Sequence, residues 1–148
     1  TTISKKGGFD KMAEVLAAGG TIALLGDQDA GRRGVFVDFF GRPASTHRAI
    51  ALMALQYDAL ICVGYSRRLD DRFDEGLPMH YEVGCEEVID PRTIQADDEV
   101  AEIMRRYSAA LERAIRKSPE QYFWVHRRWK SVSGQKRKRK NLPLKKAG

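Results

Sequence analysis

A short apolar run is followed directly by side chains that could bind or orient a polar ligand. Residues 22–25 are apolar, and a run of this length is typical of a buried strand. Asp27, Gln28 and Asp29 come immediately afterwards. Open α/β sheets have their binding crevices at the C-terminal ends of their strands. The sequence therefore predicts that this strand delivers Asp27 and Gln28 to the edge of a ligand site.

Arginines surround the glycine-rich loop that comes next. The loop has glycines at positions 31, 34 and 41, and it is flanked by Arg32, Arg33, Arg42 and Arg48. The planar guanidinium group can bind phosphate through two parallel hydrogen bonds. As a set, these arginines favour the binding of a phosphate or another anionic headgroup. Any one of them alone is better explained as a solvated surface residue.

Another basic group follows the next predicted strand. Residues 59–65 form an apolar run that ends at Ser66, Arg67 and Arg68. In a parallel sheet this end of the strand lies at the same edge as Asp27. Arg67 could pair with Asp27, bind a substrate phosphate or form an ordinary ion pair, and the sequence leaves these interpretations open.

The centre of the loop is unusually apolar for a solvated connection. Residues 35–40 are apolar at five of six positions. In one interpretation they form a short strand or tuck beneath the sheet. In the other, some of their aromatic rings line an acyl or acceptor groove.

Predicted helices lie on both sides of this loop. Apolar spacings of three and four predict a helix over residues 8–18, which Gly19 and Gly20 end. A second, well-buried helix is predicted over about 47–57, with Ser45 or Thr46 as its N-cap. This alternation of strand and helix is that of a parallel sheet.

The second half of the chain continues the pattern. Alternation of apolar and polar residues predicts a half-exposed strand from about residue 79 to 89, in which His80 is exposed. A strong apolar stripe predicts a helix over about 97–117, and Pro119 begins a short further helix. The expected fold is α/β, an incomplete open and mostly parallel β-sheet flanked by helices.

The charge of this 148-residue chain is unevenly divided. Its net charge is +6, but ten of its 26 Lys and Arg residues lie from Arg127 onward, where Asp and Glu are absent. The remainder carries 16 basic and 20 acidic residues, a net charge of −4. The basic total therefore does not indicate a nucleic-acid-binding body.

The tail, residues 131–148, has too few apolar residues to fold. Solvated disorder is its default interpretation. Attraction to an anionic membrane leaflet is the second, and a nucleic-acid or localisation signal is the third.

The two cysteines, Cys62 and Cys85, lie in or beside apolar strand patterns. We interpret them as small buried hydrophobic residues in a reducing compartment. Two thiols are too few for a disulfide framework and lack the spacing of a zinc site. No apolar run approaches the roughly 20 residues of a membrane span.

Two ordered motifs extend over most of the chain. The first is D-Q followed by G-x-x-G-VFVDFFG-x-P-A-x-T, between residues 27 and 46. The second is P-E-Q-Y-x-W-x-H-R-R-W-K, residues 119–130. Together they resemble the late acyltransferases of lipid A biosynthesis, the bacterial lauroyl/myristoyl branch of the lysophospholipid acyltransferases. The resemblance covers about residues 7–130, and residues 1–130 would be the C-terminal part of an acyltransferase domain.

This resemblance implies transfer of a fatty acyl group from a thioester of acyl carrier protein or coenzyme A. The acceptor would be a hydroxyl of an anionic glycolipid or lysophospholipid at the cytoplasmic face of the inner membrane. The protein would be peripheral there or anchored N-terminally. The thioester is a substrate, and neither a cofactor nor a metal is expected.

The candidate substrate-binding residues lie in the two motifs or at the end of the second predicted strand: Asp27, Gln28, Arg32, Arg33, Gly41, Arg67, His126 and Arg128. By their positions in the family's motifs, Asp27, Gln28, Gly41 and Arg67 would lie beside the residues that bind the acceptor. His126 and Arg128 would lie in the second motif, which closes the domain. We expect Arg67 to be an anion ligand and Asp27 to be a positioning carboxylate.

The general base of such a transfer is missing from these residues. The superfamily's hallmark is His, four residues, then Asp or Glu, because a carboxylate orients and stabilises the imidazole. The corresponding position holds leucine after His47, cysteine after His80 and serine after His126. We therefore expect the catalytic pair upstream of Thr1 in a longer protein, and no activity from this chain alone. The alternative is a non-catalytic lipid- or headgroup-binding module on the same scaffold.

Overall fold

The computed structural model describes residues 8–76 and 79–131. Its helices and strands in chain order are α1 Gly8–Ala17, β1 Val35–Phe39, β2 Arg42–Thr46, α2 Ala49–Tyr57, β3 Ile61–Arg68, β4 Tyr81–Ile89 and α3 Glu99–Lys117. Single turns of 3₁₀ helix lie at Gly31–Arg33, Phe73–Glu75, Pro91–Thr93 and Pro119–Gln121. The predicted tail lies outside the described residues from residue 132 onward.

The strands form two small antiparallel ladders. β1 pairs with β2, and β3 pairs with β4. The prediction of an open, mostly parallel sheet is therefore wrong for the described residues, although the mixture of helices and strands is as expected. The strand–helix–strand passage from β2 through α2 to β3 exists, but its two strands belong to different ladders. β3 instead pairs with the next strand along the chain, which returns antiparallel.

Residues 22–25 are not a strand, which corrects the first prediction. They carry no ladder assignment, and Leu25 is 86% exposed. An apolar run becomes a strand only where a neighbour offers its N–H and C=O groups. In the described part of the chain no strand pairs with this run. It is followed at once by Gly26, which is buried against α3.

β1 and β2 are joined by the tightest possible hairpin. Phe39 pairs with Arg42, which leaves Phe40 and Gly41 as a two-residue turn with φ angles of 54° and 73°. Two consecutive positive φ values are those of a type I′ turn, which suits the twist of paired strands. The strand interpretation of residues 35–40 is thus confirmed, and Gly41 has a conformational role in this turn.

The predicted N-cap of α2 is wrong. Ser45 and Thr46 lie within β2, and both are buried. Arg48 occupies the N-cap position and makes no side-chain capping hydrogen bond. A Ser-Thr pair before an apolar run is an N-cap signal, but here the same pair completes a strand.

α3 supplies one wall of the core. Asp98 caps it by accepting a hydrogen bond from the backbone N–H of Ala101 at 2.9 Å. Its buried face presents Ile103, Met104 and Tyr107 to the other core residues. Those residues are contributed by β1, α2, α3, both strands of the second ladder and the turn before α3: Val37, Ala51, Val63, Ile89, Ile94 and Ala110.

Salt bridges hold α3 against β4. Glu87 pairs with Arg106 and Arg113, and Glu86 pairs with Lys117 at 2.5 Å. Because these pairs link one helix to one strand at several points, they fix how α3 lies across the ladder.

The described residues cover one face of the β3–β4 ladder and leave the other open. Val63 and Ile89 point into the core, whereas Cys62, Cys85 and Val83 are exposed on the other face. The prediction that both cysteines are buried is therefore wrong. The prediction assumed that both faces of these apolar strands are covered. In the described structure α3 covers one face of the ladder, and the cysteines lie on the other.

Candidate functional site

A cavity of about 330 Å³ lies between residues 24–27, the second half of β3 and α3. Its lining comes from these three elements and from the start of the closing segment, by which we mean residues 119–130: Leu24, Leu25, Gly26, Asp27, Gly64, Tyr65, Ser66, Arg67, Tyr107, Leu111, Ala114, Ile115, Ser118, Gln121 and Tyr122. Asp27 and Arg67, predicted from two separate strand ends, thus line the same cavity.

The lining is divided between apolar and polar groups. Leu111, Ala114 and Ile115 of α3 form an apolar floor, and they lie on successive positions of the helix face that turns inward. Asp27 and Arg67 contribute charged groups of opposite sign. A cavity with an apolar floor and a few polar groups suits a ligand that is itself amphipathic.

Gly26 allows the chain to reach this position. A Cβ atom at Gly26 would lie 2.4 Å from the hydroxyl oxygen of Tyr107 and 2.6 Å from Cδ1 of Ile50. Both separations are far shorter than any normal contact. A side chain at residue 26 would therefore require both Tyr107 and Ile50 to shift.

Two tyrosines of the cavity lining, Tyr107 and Tyr122, lie near Asp27. Burial, reinforced by the Asp27 carboxylate, raises the pKa of Tyr107 to about 12 and that of Tyr122 to about 12. Both hydroxyl groups are therefore protonated near neutral pH. They can donate and accept hydrogen bonds there, but they do not act as ionised phenolates. A hydrogen bond between the Tyr122 hydroxyl and the Asp27 carboxylate contributes to the raised pKa of Tyr122.

Arg67 is held by β4 and not by Asp27. Its Nη2 lies 3.0 Å from Oε2 of Glu82, and the hydroxyl of Tyr65 donates to the other carboxylate oxygen at 2.8 Å. The hydrogen bonds from Arg67 and Tyr65 lower the pKa of Glu82, and those to Glu82 raise the pKa of Arg67. Of the three interpretations of Arg67, pairing with Asp27 is wrong and an ordinary ion pair is present.

One donor of Arg67 is left unpaired by this ion pair. Its Nε has no hydrogen-bond partner among the described residues, and the side chain lines the cavity. Glu82 therefore fixes one edge of the guanidinium group in the cavity wall.

The two sequence motifs meet directly at Asp29. The backbone N–H of Asp29 donates to Nε2 of His126 at 3.0 Å. The Asp29 carboxylate accepts from the N–H and the hydroxyl of Ser131 at 3.0 and 2.9 Å, and from the N–H of Gly31. Burial opposes the ionisation of Asp29, but these hydrogen bonds outweigh it and lower its pKa.

Arg128 ties the closing segment to β2 from inside the fold. Only 1% of it is exposed, and it donates to the carbonyl of Ser45 at 2.5 Å and to the hydroxyl oxygen of Thr46 at 2.8 Å. Its guanidinium carbon lies 5.1 Å from the ring centre of Phe39. Burial lowers the pKa of Arg128, although nearby acidic groups oppose this shift. The structure gives Arg128 a positioning role, and it is not among the cavity-lining residues.

Gln121 attaches the start of the closing segment to the end of β3. Its side-chain amide accepts from the N–H of Arg68 at 2.7 Å and donates to the carbonyl of Arg68 at 2.9 Å. This is the pairing that a neighbouring strand would make. One side-chain amide thus replaces a strand at this point and brings Tyr122 to the cavity.

The other predicted residues lie outside the lining of this cavity. Gln28, Arg32 and Arg33 are exposed, and Gly41 lies in the β1–β2 turn. His126 is half-buried and accepts the hydrogen bond from Asp29. Of the eight candidates, Asp27 and Arg67 are the two that line this cavity. A role for the others in binding stays a prediction.

Several cavity residues were missed by the sequence reasoning. Tyr107 was counted as part of the apolar stripe of α3, and Tyr122 was expected to pack on the sheet. A hydroxyl-bearing ring within an otherwise apolar helix face was the available signal for Tyr107, because such a group needs a polar surrounding. Ser66 and Gln121 carried no signal beyond their place beside a motif.

The histidines do not supply a catalytic base at the cavity. His47 is exposed, His80 precedes β4, and Nε2 of His126 is occupied by the Asp29 N–H. Within residues 8–76 and 79–131, no group of three or more His, Cys, Asp or Glu side chains could hold a metal ion.

A family model described as "Bacterial lipid A biosynthesis acyltransferase" matches residues 1–131 of the chain. The match includes every residue that lines the cavity and both motifs that meet at Asp29. No curated protein matches the chain significantly.

Proposed function

The chain belongs to the bacterial lipid A biosynthesis acyltransferase family, and we propose that it forms the acceptor-binding part of such an enzyme. The reaction would move a fatty acyl chain from an acyl carrier protein or coenzyme A thioester to a hydroxyl of a lipid A-type glycolipid or a lysophospholipid. The observation that carries this proposal is the cavity in which Asp27 and Arg67 flank an apolar floor.

The two kinds of lining suit the two parts of such an acceptor. Leu111, Ala114 and Ile115 offer apolar contact to an acyl chain. Arg67 offers a charged donor to a phosphate of the headgroup, and its ion pair with Glu82 holds the guanidinium in one orientation before a ligand arrives. Less side-chain entropy is then lost on binding.

Asp27 has a different role in this proposal. Its carboxylate faces the protonated hydroxyls of Tyr107 and Tyr122, as their raised pKa values indicate. A carboxylate beside such donors can accept a hydrogen bond from a sugar hydroxyl while the tyrosines donate to neighbouring oxygens. We assign Asp27 the positioning of the acceptor hydroxyl, not the removal of its proton.

The proton would be removed by a group outside the described cavity. The three histidines lack the spacing of the superfamily's His-x4-Asp/Glu pair, and His126 uses its Nε2 atom to hold Asp29. We therefore propose that residues beyond this chain supply the base and that the chain alone does not transfer acyl groups. The alternative, a non-catalytic lipid- or headgroup-binding module, has the same cavity but no such partner.

A membrane surface is the natural place for this substrate. Phe123, Trp124 and Val125 are consecutive and exposed, and Arg127 and Lys130 follow them. Aromatic and basic side chains together favour the boundary between water and an anionic bilayer. No helix in the described ranges has the length and apolarity to cross a membrane. We propose peripheral contact through these exposed residues at the cytoplasmic face of the inner membrane.

The test is an acyl-transfer assay on the protein extended upstream of Thr1, with Arg67→Ala and, as matched control, Arg68→Ala. Arg68 carries the same charge on the same strand but pairs with Asp71 on the surface. Arg67→Ala should raise the KM for a phosphorylated acceptor about tenfold, the loss of one charge-assisted hydrogen bond, while Arg68→Ala leaves it unchanged. An unchanged KM for Arg67→Ala would remove Arg67 from the acceptor site. Transfer by the 148-residue chain alone would refute the proposal that the base lies elsewhere.

A further inference from the structure

Two thiols lie side by side on the open face of the β3–β4 ladder. Cys62 and Cys85 are both exposed, and their sulphur atoms are 2.7 Å apart. The bond length of a disulfide is about 2.05 Å, so the sulphurs are already close to bonding distance.

The ladder explains how they come together. Cys62 lies opposite Val88 and Cys85 lies opposite Gly64, so the two cysteines are diagonal neighbours on one face. An irregularity in register falls between Val63 and Gly64. A Cβ built at Gly64 would meet only the Gly84 carbonyl, at 3.6 Å. The position opposite Cys85 is therefore empty, and its side chain is free to lie over toward Cys62.

The hydrogen bonds distinguish the two sulphurs. The Cys62 thiol donates to the Cys85 sulphur, and the Cys85 thiol donates to the carbonyl of Glu87 at 3.3 Å. The bond to Cys85 and burial raise the pKa of Cys62. A raised pKa lowers the fraction of Cys62 that is thiolate, so the first attack falls to Cys85 and the second to Cys62.

Other uses of the pair fit less well. A structural metal site needs about four ligands, and in the described ranges no third His, Cys, Asp or Glu joins these two. A purely packing role needs burial, and both side chains are exposed.

We propose that Cys62 and Cys85 are a dithiol modification site that closes to a reversible disulfide by exchange with a small-molecule disulfide. The Cys85 thiolate attacks one sulphur of that disulfide, which forms a mixed disulfide and releases one small thiolate. The Cys62 thiolate then attacks the Cys85 sulphur and releases the second small thiol. Two protein thiols are oxidised, one small disulfide is reduced to two thiols, and the two protons pass to those products.

The bond would act on the cavity through β3. Gly64, Tyr65, Ser66 and Arg67 line the cavity immediately after Cys62 in sequence. A covalent link across the irregular register fixes this wall against β4. The proposal does not depend on which ligand the cavity binds.

The test equilibrates the 148-residue chain with graded ratios of oxidised to reduced glutathione, followed by alkylation of free thiols and mass spectrometry of the digest. The expected result is that both thiols are lost together, with a peptide cross-link between Cys62 and Cys85 in the monomer, and that dithiothreitol restores both. Accumulation of mixed disulfides without the internal link, or of disulfide-linked dimers, would overturn the proposal.

Single substitutions test the order of the steps. Cys62→Ser and Cys85→Ser each keep the size of the side chain, so loss of folding is not expected. Cys62→Ser should accumulate a mixed disulfide at Cys85, and Cys85→Ser should be modified more slowly at Cys62. Equal rates in the two variants would overturn the assignment of Cys85 as the attacking sulphur.

Discussion

Replacing Arg128 tests whether this residue of the closing segment stabilises the fold or binds the substrate. Sequence comparison of motifs made Arg128 a candidate ligand, but its burial and its two bonds to β2 give it a structural position. The variant Arg128→Ala removes the guanidinium group completely. The adjacent Arg127→Ala is the matched control, because Arg127 is exposed.

The expected loss follows from the contacts of Arg128. A hydrogen bond to a charged group contributes about 1.5–3 kcal/mol, so two contribute about 3–6 kcal/mol. The Ser45 carbonyl keeps its bond from the Ala30 N–H, and Thr46 keeps its bond to the Ala44 carbonyl, so neither group is left unpaired. The variant also no longer has to bury a charged guanidinium group, and this offsets part of the free energy lost with the two hydrogen bonds. We expect a net loss of about 2–4 kcal/mol in the free energy of unfolding.

Urea denaturation followed by tryptophan fluorescence measures this loss. The Trp129 ring lies 5.7 Å from that of Phe39, so its emission reports on the packing around Arg128. With a slope of about 2 kcal/mol per molar urea, the midpoint of Arg128→Ala should fall by about 1–2 M. Arg128→Lys should recover part of the loss, since an ammonium group keeps the charge but not the planar fork.

The control decides the interpretation. Arg127→Ala should change the free energy of unfolding by less than about 0.5 kcal/mol, as is usual for exposed positions. If Arg128→Ala is as stable as Arg127→Ala, Arg128 is not a structural tie, and its role as a substrate ligand would regain support.

Three further outcomes follow from the geometry. Gly26→Ala should destabilise the chain by about 1–3 kcal/mol, measured by urea denaturation, because the added methyl overlaps Tyr107; an unchanged midpoint would contradict the close approach. Gln121→Leu should speed hydrogen exchange at the Arg68 N–H, measured by NMR, whereas unaltered exchange would mean that the amide pairing is not made. The pKa of Tyr107 rises on folding from 10.0 to about 12. The contribution of Tyr107 to the free energy of unfolding is therefore fully present below pH 10. Roughly 3 kcal/mol of this contribution is then lost as the pH rises from 10 to 12. Denaturation across that range should show less loss in Tyr107→Phe, and equal loss in both proteins would refute the assignment.

The helices and the first hairpin strand were predictable because their signals are local. The apolar stripe of α3 and the apolar run of β1 are set by neighbouring residues. The joint position of Asp27 and Arg67 at one cavity was also anticipated, although for a reason that is only partly right. Both follow apolar runs, but only the run before Arg67 is a strand.

Pairing and burial were less predictable because they depend on distant residues. The alternation of strand and helix indicated a parallel sheet, yet β3 pairs with β4. Cys62 was expected to be buried because its neighbours are apolar, but no described element covers that face of the ladder. Arg128 was expected at a substrate because of its position in the closing motif, yet its side chain is buried, which is rare for arginine. Its oxygen partners on β2 are more than 80 residues away in the sequence.

The central claim is that the cavity between Asp27 and Arg67 receives an amphipathic anionic lipid. Its most direct test is a binding titration with a variant whose cavity is partly filled by a larger side chain. Ala114→Leu enlarges a residue of the floor, and Ala109→Leu makes the same change on α3 at a position that does not line this cavity. Isothermal titration with a detergent-dispersed, phosphorylated lipid A precursor should give a dissociation constant about tenfold weaker for Ala114→Leu than for Ala109→Leu, since about 1.4 kcal/mol of apolar contact is lost. Equal affinities in the two variants would contradict the claim.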